Sequence, residues 1–99
     1  MLELILMALA SVVIDIVLTV VVLAFFAVVQ WFLEVQESVD ESDIAFTLKQ
    51  ELKNGEYAVF QGIFDQSTDR LEHVRRINTK QLDSKLSQAH AQDKLVVYT

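Results

Sequence analysis

Cysteine and proline are absent from these 99 residues, and glycine occurs only at Gly55 and Gly62. Without cysteine there are no disulfides and no thiolate metal sites, and the redox compartment leaves no mark. Without proline nothing forces a kink into an apolar run. Two isolated glycines make no phosphate-cradling loop. Lysine and arginine are missing until Lys49. The net charge of −6 offers no electrostatic footprint for nucleic acid. Taken as a whole it gains nothing from anionic lipid headgroups either.

What the chain has instead is apolar residues, 53% of the total, unevenly placed. Residues 1–35 hold most of them, while 36–99 read like an ordinary soluble domain. That remainder, roughly 64 residues, is near the lower limit for an independent core. Residues 16–33 carry no charge, and only Thr19 and Gln30 among them are polar. The run meets the length of about 20 residues that a spanning helix needs. Its Val and Ile are mediocre helix formers in water. In hydrocarbon that matters little, because a helix satisfies its own backbone polar groups. A cleaved signal peptide is the rival reading. It calls for a basic start, where this chain has Glu3, and Ala8-Leu9-Ala10 comes too early for a cleavage site.

Residues 4–33, as one helix, would measure roughly 45 Å, against a hydrocarbon core of about 30 Å. Trp31, between Gln30 and Glu34, suits a membrane–water boundary. Counting back about 20 residues sets the far boundary near residue 12, with Asp15 just inside it and residues 1–11 overhanging. The only nearby cations, Lys49 and Lys53, lie after the span, which leans toward a cytoplasmic C-terminal domain.

On such a helix Ala8, Ser11, Asp15 and Thr19 fall within about 40° of one another. Small and hydroxyl residues let membrane helices approach closely, and an intramembrane carboxylate is a functional candidate by default. Asp15 is then solvated at the interface, paired with another helix, or an ion or proton site in an oligomer. Helix packing is the preferred reading, since no second ionisable group lies deep in the span.

Past the span, Glu37, Asp40, Glu41 and Asp43 make an acidic connector, and Ser38–Glu41 matches a capping box. Ile44, Leu48 and Leu52 recur every four residues, with Lys49 and Lys53 in the last turn and Asn54-Gly55 as a stop. This pattern predicts a short helix over 42–54. Residues 57–64 are aromatic and β-branched and predict a strand apolar on both faces, with Gly62 marking a bulge. Residues 65–69 predict a turn. Residues 70–78 are consistent with a helix or a return strand, the strand being preferred because its neighbour needs a partner. Thr79 would cap a helix carrying Leu82, Leu86 and Ala89, and 95–98 reads as a last strand.

Catalytic chemistry is not visible. His73 and His90 match no metal motif, and no nucleophile sits in a recognisable elbow. Arg75 and Arg76 form the one basic cluster. They are a solvated strand end, or a contact with lipid headgroups or an acidic partner.

The sequence therefore predicts a membrane protein. A single N-terminal transmembrane α-helix (1–35) leads through an acidic connector and short helix (36–55) into a small α+β domain (56–99) of β-β-α-β order. The expected role is a non-catalytic accessory or scaffolding subunit of a cellular or viral membrane assembly. Its partners would be lipid and other transmembrane helices, with no cofactor, metal, nucleic acid or small-molecule substrate. The alternative is a homo-oligomeric ion or proton conductor centred on Asp15.

Overall fold

The structure, a computed structural model, describes residues 1–36 and 40–98. Glu37, Ser38 and Val39, which carry the start of the expected connector and its capping box, lie outside the described residues.

Residues 1–35 are not one helix. They form α1 (Leu2–Ala10), β1 (Val17–Leu23) and α2 (Phe25–Val35). Among the described residues no helix is long and apolar enough to cross a membrane. The single-pass transmembrane fold, the membrane localisation and the orientation drawn from it are thereby corrected. A continuous helix of residues 1–35 would be about 52 Å long, whereas the molecule's greatest dimension is 35 Å.

Local composition explains the division. Leu, Met, Ala and Glu fill α1, and all are good helix formers. Val12, Val13, Ile14, Ile16, Val17, Thr19, Val20, Val21 and Val22 follow. β-Branched side chains lose χ1 freedom in a helix and pack well on a pleated strand. Ser11 closes α1, its Oγ donating to Ala8 O at 3.1 Å.

The remaining elements are β2 (Asp43–Glu51), β3 (Tyr57–Asp65), β4 (Arg70–Leu82), α3 (Ser84–Ala89) and β5 (Leu95–Tyr98). The helix expected over 42–54 is thus a strand. Its four-residue apolar spacing is also a two-residue spacing, because Phe46 stands between Ile44 and Leu48. The helix expected from Thr79 is corrected too. Strand β4 runs on to Leu82, Thr79 is buried in it, and Asp83 rather than Thr79 caps α3.

Among the described residues the sheet has five strands, not three, in the order β1-β4-β3-β2-β5. β1 lies parallel to β4, and the other pairings are antiparallel. Helices cover both faces. Ile5 of α1, fully buried, packs with Phe46, Leu48 and Phe64 on one side. Val28 of α2 packs with Leu23, Val59, Ile77 and Leu86 on the other. Truncating a buried anchor such as Ile5 to Ala costs about 2–5 kcal/mol. A helix as short as α1 has no stability of its own to offset that loss.

Two positions fix the backbone locally. Gly55 takes φ +83° in the β2–β3 turn, a conformation open to glycine. At Gly62 an added Cβ would meet His73 O at 2.7 Å and the Phe46 ring at 3.1 Å. The ladder irregularity lies one residue further on, between Ile63 and Phe64.

One carboxylate ties both strand-to-helix junctions together. Asp83 Oδ2 accepts from Phe25 N at the start of α2, and Oδ1 accepts from Leu86 N in α3, both at 2.9 Å. Asp83 N in turn donates to Leu23 O at the end of β1. A lost N-cap costs about 1 kcal/mol, and Asp83→Ala removes two. Urea unfolding followed by circular dichroism should show a loss of about 2 kcal/mol. A loss near zero would mean that the two caps carry no weight.

Candidate functional site

The sheet ends on β1, whose outer edge pairs with no strand among the described residues. Its residues are Val17-Leu18-Thr19-Val20-Val21-Val22-Leu23, without a charge. Only Leu23 is buried; Val17, Val21 and Val22 are 52%, 64% and 43% exposed. A parallel strand buried on both faces reads as a continuous apolar run, and β1 has that sequence without that burial. Among the described residues, the large apolar side chains left exposed all lie between Met1 and Leu33, except Val97.

The residues expected to share one helix face are distributed over three elements. Ala8 is half-buried on α1 against the Ile5 cluster, Ser11 caps that helix, Asp15 is exposed ahead of β1, and Thr19 is exposed within β1. Ala8 and Ser11 line a cleft of about 240 Å³ beside Asp69 and Arg70. Asp15 and Trp31 line another of about 340 Å³ with Glu72 and His73. Trp31 lies on α2, with the Arg75 guanidinium 5.2 Å from its ring centroid and the His73 ring edge-on at 6.5 Å.

Arg75 and Arg76 point to opposite faces, as neighbours on a strand must. Arg75 is buried under α2. Its Nε donates to Gln61 Oε1 at 2.8 Å, and Gln61 Nε2 donates to Val28 O at 2.7 Å. Burial pulls its proton affinity down, and the Glu34 carboxylate acts the other way. Arg76 is half-buried over the Phe60 ring and donates to Asn78 Oδ1.

A third polar group lies beneath α3. His90 Nδ1 sits 2.9 Å from Asp93 O, and Nε2 lies 2.8 Å from Thr47 Oγ1. A carbonyl only accepts, so Nδ1 carries the proton and Nε2 accepts from Thr47. Thr47 Oγ1 then accepts from the Tyr98 hydroxyl at 2.7 Å. Burial is the main cause that pushes His90 below its ordinary 6.5 and keeps it neutral.

Asp43, Asp65 and Glu72 bring carboxylate oxygens within 4.8 Å of one another. Asp43 Oδ1 is shielded and lacks a hydrogen-bond partner. Ser67 and Ser42 hydroxyls hold Asp65 below its ordinary value, Ser67 contributing most. Glu72 is raised, by desolvation first and then by the charge of Asp43. The three offer the oxygen donors a hard cation takes, but carboxylates crowd at surfaces without one, and we assign no metal to them. Periodicity could not have revealed this cluster, because it depends on the β2–β3 and β3–β4 registers.

A groove of about 330 Å³ opens between α1 and the sheet, lined by Leu2, Leu6, Leu9, Leu48 and Phe60, with Lys49 and Lys94 also in its wall. Comparison with family models, with curated proteins and with solved structures finds no match to this chain.

Two titrations follow from these shifts. Glu72 ionises with more difficulty when folded, through desolvation first and the Asp43 charge second, so the folded state carries a penalty at neutral pH. That penalty is gone once both states are protonated below the ordinary 4.5. Glu72→Gln should therefore raise the melting temperature at pH 7, with the gain vanishing near pH 3; a gain unchanged by pH would contradict it. His90 has the opposite sign of stability change on acidification. Its contribution is complete above 6.5 and lost as pH falls through its lowered value. Between pH 7 and pH 5, wild-type stability should fall more than that of His90→Gln, as read by urea titration.

Proposed function

We propose that this chain is a non-catalytic accessory or scaffolding subunit, joined to a protein neighbour through the open edge of β1. The observation that carries the reading is that edge: uncharged, β-branched, apolar on both faces and largely exposed. A strand of this kind is a template for pairing with another chain, and proteins that do not use such an edge blunt it with charge, proline or cover. Backbone hydrogen bonds would supply affinity and the alternating side chains specificity, as in strand addition generally. The buried polar groups support a structural rather than chemical role. Gln61 and Arg75 fasten α2 to the sheet, and Thr47 and His90 fasten α3 and β5. A conductor centred on Asp15 needs a spanning helix, and Asp15 here is an exposed residue between α1 and β1.

The test is native mass spectrometry of the intact protein purified from its source. A complex of fixed stoichiometry is expected. Val21→Lys should weaken it at least about tenfold, equivalent to about 1.4 kcal/mol. Gln88→Lys, the same charge change on exposed α3, should leave it intact. Assembly that survives Val21→Lys would show that β1 is not the joint.

A further inference from the structure

We propose that the groove between α1 and the sheet binds the free anion of a medium-chain fatty acid, with its chain along α1 and its carboxylate on Arg76. This site is separate from the β1 joint and does not rest on it.

The apolar part follows from how α1 is built. Ile5 and Ala8 turn one stripe of the helix onto the sheet, against Phe46, Leu48 and Phe64. Leu2, Leu6 and Leu9 recur at spacings of four and three residues, so they share the neighbouring face. That face is one wall of the groove, and Leu2 and Leu6 remain 36% and 46% exposed on it. Leu48 and Phe60 make the floor. The volume of about 330 Å³ is at the small end for ligand pockets, which are mostly apolar with a few placed polar groups. From Leu2 to Ala10 the helix measures about 12 Å, the reach of an extended chain such as that of decanoate.

The polar part follows from charge. The chain has eight Lys and Arg against fourteen Asp and Glu. Yet the charged residues that line the groove are Lys49 and Lys94, with no acid among them. The head group falls to a third cation. Leu48 pairs with Phe60 across β2 and β3, and Phe60 pairs with Arg76 across β3 and β4. Their side chains therefore stand in one row on one face, which leads from the floor of the groove to Arg76. The half-buried guanidinium lies 5.6 Å from the Phe60 centroid. Its Nε donates to Asn78 Oδ1 at 2.9 Å, and among the described residues no carboxylate pairs with it. The two Nη groups keep a planar fork that matches a carboxylate. Lys49 does not compete, because its Nζ sits over the Tyr57 ring, 5.5 Å from the centroid.

The experiment is isothermal titration calorimetry of the purified full chain with sodium decanoate at neutral pH, with far-ultraviolet circular dichroism on each variant as a check on folding. Wild type is expected to bind one decanoate with a Kd of about 10–100 µM. Arg76→Gln should weaken decanoate about tenfold while leaving decanol, the uncharged chain of equal length, unchanged. Leu6→Glu sets a charge in the wall and should abolish binding of both. Met7→Glu makes the same change on a 70% exposed residue outside the groove and should leave both intact. No saturable binding of decanoate by about 1 mM overturns the proposal; if Leu6→Glu then disperses the source-purified complex, the groove seats a protein neighbour instead. Binding that persists in folded Leu6→Glu overturns the groove as the site. Decanoate and decanol bound alike, with no effect of Arg76→Gln, overturns the acid as the ligand.

Discussion

Strand β3 sends large apolar side chains to both sides of the sheet, and neither side can be left to water. Val59 and Ile63 face one way, Phe60 and Phe64 the other, and all but Phe60 are fully buried. Each such side chain is worth about 1.5–3 kcal/mol when removed from water. Residues 40–98 cannot supply both covers, since their one described helix, α3, has six residues. The covers come from residues 1–35. α1 takes the Phe60–Phe64 face, α2 the Val59 face, and β1 joins them along the edge of β4. The apolar N-terminal third is thus the missing two layers of a three-layer sandwich. The remainder, read alone, looked barely large enough to fold because those layers belong to it.

That dependence explains which parts of the fold were legible. The β3 strand, the turn after it, the return strand and the final strand follow from β-branched and aromatic runs between turn signals. The N-terminal third misled because hydropathy summed over a window cannot separate a spanning helix from consecutive short buried elements. The discriminating signal was present, in the concentration of Val and Ile at residues 12–22 between two segments richer in Leu, Ala and Phe. It loses its force once hydrocarbon is taken as the solvent, because a membrane helix tolerates β-branched residues. For β2, Ile44, Leu48 and Leu52 fit a helix only while Phe46 is ignored.

The polar interior was less legible still, for a different reason. Gln61, Arg75, Thr47 and His90 come from separate strands and a loop, and only the register brings them together. Gln61 and Arg75 are opposed across the β3–β4 ladder, a pairing that no spacing within one segment predicts. Arg75 and Arg76, adjacent in sequence, end on opposite faces in unlike surroundings. The basic pair is two separate residues with separate work. Burying a guanidinium is costly unless its donors are met. Here the Gln61 amide, the Ala27 carbonyl at 3.4 Å and the Trp31 ring meet them. Arg75 and Gln61 thereby fix where α2 crosses the sheet, something apolar contacts alone leave free to slide.

The two edges of the sheet are not equivalent, and the difference bears on what the molecule is for. β5 is four residues long and follows Asp93 and Lys94, and Val97 is its one large apolar side chain left exposed. Shortness and adjacent charge are the usual ways an edge is kept from pairing. β1 has neither protection, being seven residues long with no charge within it. A mixed sheet whose one edge is guarded and whose other is bare has a direction of growth. If the bare edge meets its own copy, growth stops at two, because both unguarded edges are then consumed and only guarded ones remain outside. If it meets a different chain, the stopping point is set by that chain. Guarding β5 therefore confines any extension of the sheet to the β1 edge, whichever neighbour β1 takes.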